Sequence, residues 1–308
     1  MAFRIEEKLV IGVASSALFK LDEADEIFRT CGLAAYRAYQ REHQQDVLEC
    51  GIAFPFVRRL LRMNELFPDA KPVEVVLLSH NDPDTGLRVF NNIRNYGLDI
   101  TRAAFLTGDS PFKYIPAYNV SLFLSANLPD VEAAAREGFA AGQVLQSASS
   151  DTEDDSELRI AFDFDGVVAD SSAEAVYQDG GLAVFHESEQ AKASEPLPRG
   201  PLADLFEKLA RLRELEDVKV LDNPAYKRYL KTAIVTSRSA PAHERVVTTL
   251  REWNIRVDQT FFLGGMDKGR ILSTLQPHIF FDDQEVHLSS SAPYTPSVHV
   301  PFGFRRKK

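Results

Sequence analysis

Apolar residues gather in short runs along the chain, and each run gives way to a longer stretch in which they return at helical spacing. The runs at 9–14, 73–78, 103–106 and 120–124 in the first half, and at 159–162, 232–235, 260–263 and 278–281 in the second, are aliphatic or β-branched. They predict buried strands, and strands alternating with helices predict α/β architecture with parallel sheets. One segment breaks the pattern. Ser147-Ala-Ser-Ser-Asp-Thr-Glu-Asp-Asp-Ser-Glu157 is small, polar and acidic. It has too little apolar surface to order itself, so it predicts a linker over 147–157 between units at 1–146 and 158–308.

The two halves share a register. Asp163 minus Ala14 and Gly200 minus Gly51 both give 149. From Ser79 and Thr236 onward the offset is 157, and it holds without gaps through Arg94 and Arg251, Phe105 and Phe262, Leu106 and Leu263, and Gly108 and Gly265. Eight extra residues near 217–229 account for the change. A constant offset with matched glycines predicts an internal duplication of one Rossmann-like half.

Composition narrows the class of partner. With 308 residues, 44% of them hydrophobic, the chain has material for two domains with real cores. A formal charge of -10 and a pI near 5.3 argue against a surface built to track nucleic acid or anionic lipid. An anionic substrate must then be met by local positive charge. Cys31 and Cys50 are too few for a disulfide framework or a thiolate metal site. No run of about 18 apolar residues exists to span a bilayer, and the start, Met-Ala-Phe-Arg-Ile-Glu-Glu-Lys, lacks the apolar core of a signal peptide. The expectation is a soluble cytoplasmic protein with no nucleic-acid or membrane partner.

The chemistry concentrates in the second half. Asp163 and Asp165 lie two residues apart at the end of the run Arg159-Ile-Ala-Phe, just before Gly166, and offer a nucleophile, an acid/base and a metal site together. Further along come Ala233-Ile-Val-Thr236-Ser-Arg238, Gly265-Met-Asp-Lys268-Gly and His278-Ile-Phe-Phe-Asp282-Asp283. A hydroxyl at the end of a buried strand can bond a phosphate oxygen; Ser237 is the neighbour that could do this in place of Thr236. A lysine can neutralise phosphate and nucleophile, and a carboxylate pair at a strand end can hold Mg²⁺. The corresponding slots of the first half contain Ala14, Ser16, Ser79, Pro111, Ser125 and Ala126. Only the hydroxyl remains, so the first half is read as degenerate.

The ordered set Asp-x-Asp-x-Val, strand-end Thr, Lys and Asp-Asp resembles the haloacid dehalogenase-like phosphohydrolases, and Asp165 points within them to phosphoryl chemistry. The resemblance extends over 9–302 to the type I cytosolic 5′-nucleotidases. It is carried by Ser15-Ser-Ala-Leu-Phe-Lys-Leu-Asp-Glu23, Ala53-Phe-Pro-Phe-Val57, Thr107-Gly-Asp-Ser-Pro111, Leu122-Phe-Leu-Ser-Ala126, Pro277-His-Ile-Phe-Phe-Asp-Asp-Gln284 and His299-Val-Pro-Phe-Gly303. Phe164 and Gly166-Val-Val-Ala-Asp170 depart toward the generic superfamily loop. What the resemblance implies is Mg²⁺-dependent hydrolysis of nucleoside 5′-monophosphates, with Asp163 as nucleophile forming an aspartyl-phosphate and Asp165 as general acid and base. It further implies Thr236 and Lys268 on the phosphoryl oxygens, and a metal held by the Asp163 side chain, the Asp165 main-chain carbonyl and Asp282, with Asp283 as ligand or behind it.

Substrate selection is less sharply encoded. The superfamily places a cap between the nucleophile strand and the hydroxyl strand, and 170–229 is long enough for one, with Gly180-Gly181 as a hinge and a helix from Arg199-Gly-Pro201 to about Leu212. Ser79, His80, Asn81 and Asp82, with Thr107, Gly108 and Ser110, fall at strand ends of the degenerate half, where ligands of α/β sheets collect. Phe19 or Phe112 could stack on a base, against the alternative of plain core packing. A phosphatase for sugar phosphates and a nucleotide-binding regulatory protein are the competing readings. Duplication does not require an oligomer, whereas the resemblance is compatible with a homo-oligomer.

Overall fold

In the computed structural model, which describes residues 4–147, 151 and 155–301, the apolar runs of the first half become β1 (Leu9–Val13), β2 (Val73–Ser79), β3 (Arg102–Phe105), β4 (Leu122–Ser125) and β5 (Ala141–Leu145). All pair in parallel in the order β3-β2-β1-β4-β5. Helices α1 (Ser15–Leu18), α2 (Asp22–Glu42), α3 (Phe54–Leu66), α4 (Gly86–Asn95) and α5 (Leu128–Arg136) connect them. Every residue of β1 and β2 is buried, as expected of parallel strands covered on both faces.

The second half forms β6 (Leu158–Phe162), β7 (Leu230–Thr236), β8 (Gln259–Phe262), β9 (Ile279–Asp282) and β10 (Ser297–His299), again parallel, in the order β8-β7-β6-β9-β10. Its helices are α6 (Ser172–Ala191), α7 (Ala203–Asp222), α8 (His243–Glu252), α9 (Gly269–Leu275) and α10 (Glu285–Ser291). The chain divides into two compact units, Met1–Val144 and Leu145–Lys308. No described helix is long and apolar enough to cross a membrane.

The two units have the same strand order, and their elements keep the offsets read from the sequence. β2 and β7, α4 and α8, β3 and β8, and β4 and β9 each begin and end 157 residues apart. Helices α2 and α6 each break at a glycine: Gly32 (φ 79°, ψ −179°) interrupts α2, and Gly181 (φ 72°, ψ −175°), 149 residues later, interrupts α6. Only glycine enters that region without strain. The extra residues of the second unit lengthen α7, whose end at Asp222 lies well past the expected Leu212. Glu216 explains the extension. It is fully buried and accepts the backbone N–H groups of Tyr229 (2.6 Å) and Leu230 (3.0 Å), tying the added turns to the start of β7. Phe206 of α7 packs edge-on against Phe162 of β6.

Strands β5 and β10 were not among the expected runs. Ala141-Gly-Gln and Ser297-Val-His lack the apolar length that marks a strand, and pairing with β4 and β9 supplies their order instead. Residues 148–150 and 152–154 of the acidic 147–157 segment lie outside the described residues, as do the tail 302–308 and with it the end of the His299 motif. Ser147 donates to the Ala292 carbonyl (2.8 Å), and Asp155 meets Arg159 (2.5 Å) and His278 (3.3 Å) at the start of β6.

Candidate active site

In the second unit the chain leaves β6 toward β7 on one side and returns in β9 on the other. The carboxyl ends of β6 and β9 therefore flank a topological switch point, where backbone groups and side chains converge without a crossing connection to fill the space. Ladder bonds fix the ends: the Asp163 N–H donates to the Phe281 carbonyl (2.8 Å), Val300 N–H to Asp282 (2.9 Å) and Leu263 N–H to Thr236 (2.9 Å). Asp163, Thr236, Lys268 and Asp282 are all buried there, the last two at 0% exposure.

Lys268, at the start of α9, sends its ammonium between two carboxylates. Nζ lies 2.9 Å from Asp163 Oδ1 and 2.7 Å from Asp282 Oδ2. Asp163 Oδ1 also accepts the Phe164 N–H (2.7 Å), and Asp282 Oδ1 accepts the Gln284 N–H (2.8 Å). Burial pushes Asp163 up to about 7; Lys268 opposes this, while Asp282 and Asp165 add to it. Burial acts on Asp282 in the same sense, yet Lys268 and the His287 ring outweigh it and hold this carboxyl below its usual range. Lys268 is held above the ordinary lysine range because its two carboxylates overcome the effect of burial. One cation thus serves two acids.

For Asp283 the relief from Lys268 falls short. Burial and the charges of Asp163 and Asp282 push it up to about 8, and its buried Oδ1 has no hydrogen-bond partner among the described residues. Its other oxygen sits where a side chain on Gly166 would begin: a Cβ there would come within 2.4 Å of Asp283 Oδ2, and Gly166 has φ +74°. An orphaned carboxylate oxygen beside two buried acids is the signature of a site short of positive charge. Asp163, Asp282 and His287 each offer a ligand atom, all within 4.8 Å of one another. These groups fit a divalent cation, with Asp283 alongside.

Asp165 stands apart from that group. Its carboxylate is gripped by Arg238, with Nε 2.6 Å from Oδ2 and Nη2 2.7 Å from Oδ1. Arg238 is 4% exposed; its Nη1 reaches Glu189 of α6, which in turn accepts from Arg245 of α8 at 2.7 Å. Thr236 Oγ1 accepts the Arg238 N–H (3.3 Å). Arg238, Glu189, Arg245 and His287 were not among the sequence-derived site residues. Arg238 stands in the Thr236-Ser-Arg238 motif, but nothing local to it names its partner 73 positions away.

The residues expected to meet a substrate divide between units. Ser237 follows Thr236 in the second unit. Ser79, His80, Asn81, Asp82, Thr107, Gly108 and Ser110 gather at the carboxyl ends of β2 and β3 in the first unit, where many of them bind one another. Ser79 Oγ is 3.0 Å from Ser15 Oγ, Asn81 Oδ1 accepts from Tyr36 (2.7 Å), and Asp82 pairs with Arg37 (2.7 Å) and caps Thr85 (2.8 Å). His80 meets Asp130 at 2.9 Å, a hydrogen bond that raises its pKa. The Gly108 and Thr107 N–H groups donate to the carbonyls of His80 (2.7 Å) and Asn81 (3.1 Å). The Ser110 hydroxyl is buried without a partner among the described residues. Phe19 is wholly buried against Phe54 and Tyr96, and Phe112 packs beside the β-sheet core, so both serve packing.

A family model described as 5'-nucleotidase matches residues 1–307. Human cytosolic 5'-nucleotidase 1B is 33% identical over 305 residues, which cover 97% of this chain and 49% of that protein. The chain thus spans about half the length of the curated relative it matches. No solved structure matches it.

Proposed function

The chain belongs to the 5'-nucleotidase family, and from that premise we propose that it hydrolyses nucleoside 5′-monophosphates to nucleoside and phosphate through an aspartyl-phosphate on Asp163. The observation that carries this reading is the buried cluster in which Lys268 bridges Asp163 and Asp282 beside Asp283, whose Oδ1 has no partner among the described residues. Such a cluster is costly to folding unless further positive charge completes it, as a bound metal ion would.

Asp163 attacks phosphorus in line, splitting one hard displacement into two easier ones. Asp165 protonates the departing 5′-oxygen and then takes a proton from the water that cleaves the aspartyl-phosphate. Thr236 and Lys268 bind the non-bridging oxygens. Asp163, Asp282 and the Asp165 main-chain carbonyl would hold Mg²⁺, with Asp283 and His287 beside them. When bound, the ion neutralises the carboxylates and polarises the phosphoryl group.

We read both units as copies of a haloacid dehalogenase-type half, the first having lost its acids, and the insertion at about 170–229 as the cap of the second. Ser79, His80, Asn81, Asp82, Thr107, Gly108 and Ser110 of the first unit, and Ser237 of the second, are the proposed nucleoside contacts. A cytoplasmic location accompanies this reading.

The test is phosphate release from a panel of nucleoside 5′-monophosphates and sugar phosphates, with and without Mg²⁺. Preference for nucleotides and loss of turnover on chelation are expected. Release from sugar phosphates alone would sink the nucleotidase reading, and the lack of an acid-stable phosphoenzyme on rapid quench would sink the covalent scheme.

A further inference from the structure

The four charges Asp165, Arg238, Glu189 and Arg245 form one chain of alternating sign, buried except for the partly exposed Asp165, and only its first member has a role in the reaction proposed above. Arg238 commits both Nε and Nη2 to the two oxygens of Asp165, a fork-on-carboxylate geometry that fixes the plane of the acid as well as its distance. Its remaining nitrogen is spent on Glu189 and on the Ala242 carbonyl (3.2 Å). Its face lies over Phe164 (5.8 Å) and Phe185 (5.4 Å). A guanidinium so enclosed has no second position to occupy.

The first unit separates scaffold from chemistry. At the offsets of 149 and 157, Glu189 corresponds to Gln40 and Arg245 to Arg88, and these two also touch, Arg88 Nη1 donating to Gln40 Oε1 at 3.2 Å. That contact between α2 and α4 therefore exists without any catalytic set. Asp165 and Arg238 correspond to Ser16 and Asn81, so the ion pair is present only in the unit that has the acids. If Arg238 served merely to join helix to sheet, the unit without the acids would need it equally.

We infer that Arg238 is the positioning residue for Asp165, orienting its carboxylate toward the leaving-group oxygen, and that Glu189, held by Arg245, orients Arg238 in turn. The inference rests on the proposed role of Asp165 as acid and base, and it makes the segment of α6 beyond Gly181, which bears Glu189, part of the apparatus that aims the acid.

The experiment compares two monoesters on the full chain with Mg²⁺: an alkyl phosphate, whose leaving oxygen must be protonated, and p-nitrophenyl phosphate, whose leaving oxygen departs as a stable anion. Arg238→Lys keeps the charge but loses the fork. It should lower the rate of phosphoenzyme formation, followed by rapid quench, about 10- to 100-fold on the alkyl ester and less than about threefold on the aryl ester, with KM within about twofold on both. Placed on Asp165→Asn, it should cost less than about twofold more, because residues acting as a unit are not additive. Glu189→Gln, which keeps an acceptor oxygen for one arginine and turns an N–H donor toward the other, should give the same selective loss, and it answers the question should Arg238→Lys melt early. Equal losses on the two esters, or full additivity with Asp165→Asn, would overturn the inference. Because the readout is a ratio between two monoesters, it stands whether or not nucleotides prove to be the substrate.

Discussion

Lys268 donates to Asp282 at 2.7 Å with both side chains at 0% exposure, and the same ammonium lies 2.9 Å from Asp163. A single buried cation is shared by two acids with a third, Asp283, beside them, so the group holds more carboxyls than cations. The proposed phosphoryl chemistry depends on how that imbalance is met.

Replacing Asp163 by Asn removes the proposed nucleophile while keeping its shape. Turnover should fall on the order of 10³-fold or more, no phosphoenzyme should form on rapid quench, and calorimetry should still detect nucleotide binding. Residual turnover near the parent rate would mean that phosphorus is attacked by another group.

Lys268→Met leaves Asp163 and Asp282 buried without their shared cation. Unfolding by urea should show a loss of about 3–5 kcal/mol, together with loss of activity. Added Mg²⁺ should restore part of that stability, since an ion that binds only the folded state stabilises it. A variant as stable as the parent without metal would show that the lysine is not what holds the two acids.

Asp163 and Asp283 are pushed up to about 7 and about 8. In the unfolded chain both ionise near pH 4. Between these values the unfolded state has released protons that the folded state keeps, so stability of the metal-free protein should fall as pH rises from about 4 to about 8. Asp283→Asn removes its own share, and at pH 8 should stabilise the metal-free protein by about 1–3 kcal/mol relative to the parent. The gap should vanish at pH 4. Thermal melts of both proteins across this range, with and without Mg²⁺, decide the matter; a parent that gains stability up to pH 8 would refute it.

Gly166→Ala places a methyl 2.4 Å from Asp283 Oδ2 on a backbone with φ +74°. The left-handed backbone alone costs about 1–2 kcal/mol, and Asp283 must move as well. Both melting temperature and Mg²⁺ affinity should drop. An unchanged affinity, measured by titration calorimetry, would remove Asp283 from the metal site.

Much of the fold was legible because the strand ends carry its signal. Ile-Val-Thr236 and Phe-Phe-Asp282 run apolar to the point where the backbone leaves the sheet, and there a polar residue is tolerated. The break in α6 was readable as Gly180-Gly181, whereas the matching break at Gly32 was not among the expectations. β5 and β10 were not readable, since strands ordered by a neighbour need no apolar run of their own. The extension of α7 was missed because it depends on Glu216, a buried acid whose partners at Tyr229 and Leu230 lie across a loop.

By itself the sequence singled out the residues proposed to carry the chemistry, Asp163, Asp165, Thr236, Lys268, Asp282 and Asp283, and the register that pairs them with positions of the first unit that lack the acids. Only the tertiary structure decided how the charges are shared: Lys268 between Asp163 and Asp282, Arg238 on Asp165, and none on the buried oxygen of Asp283. The reason is that ion pairing out of water depends steeply on separations of a few ångströms. Residues 73 or 105 positions apart reach such separations only when the strands that bear them are laid side by side.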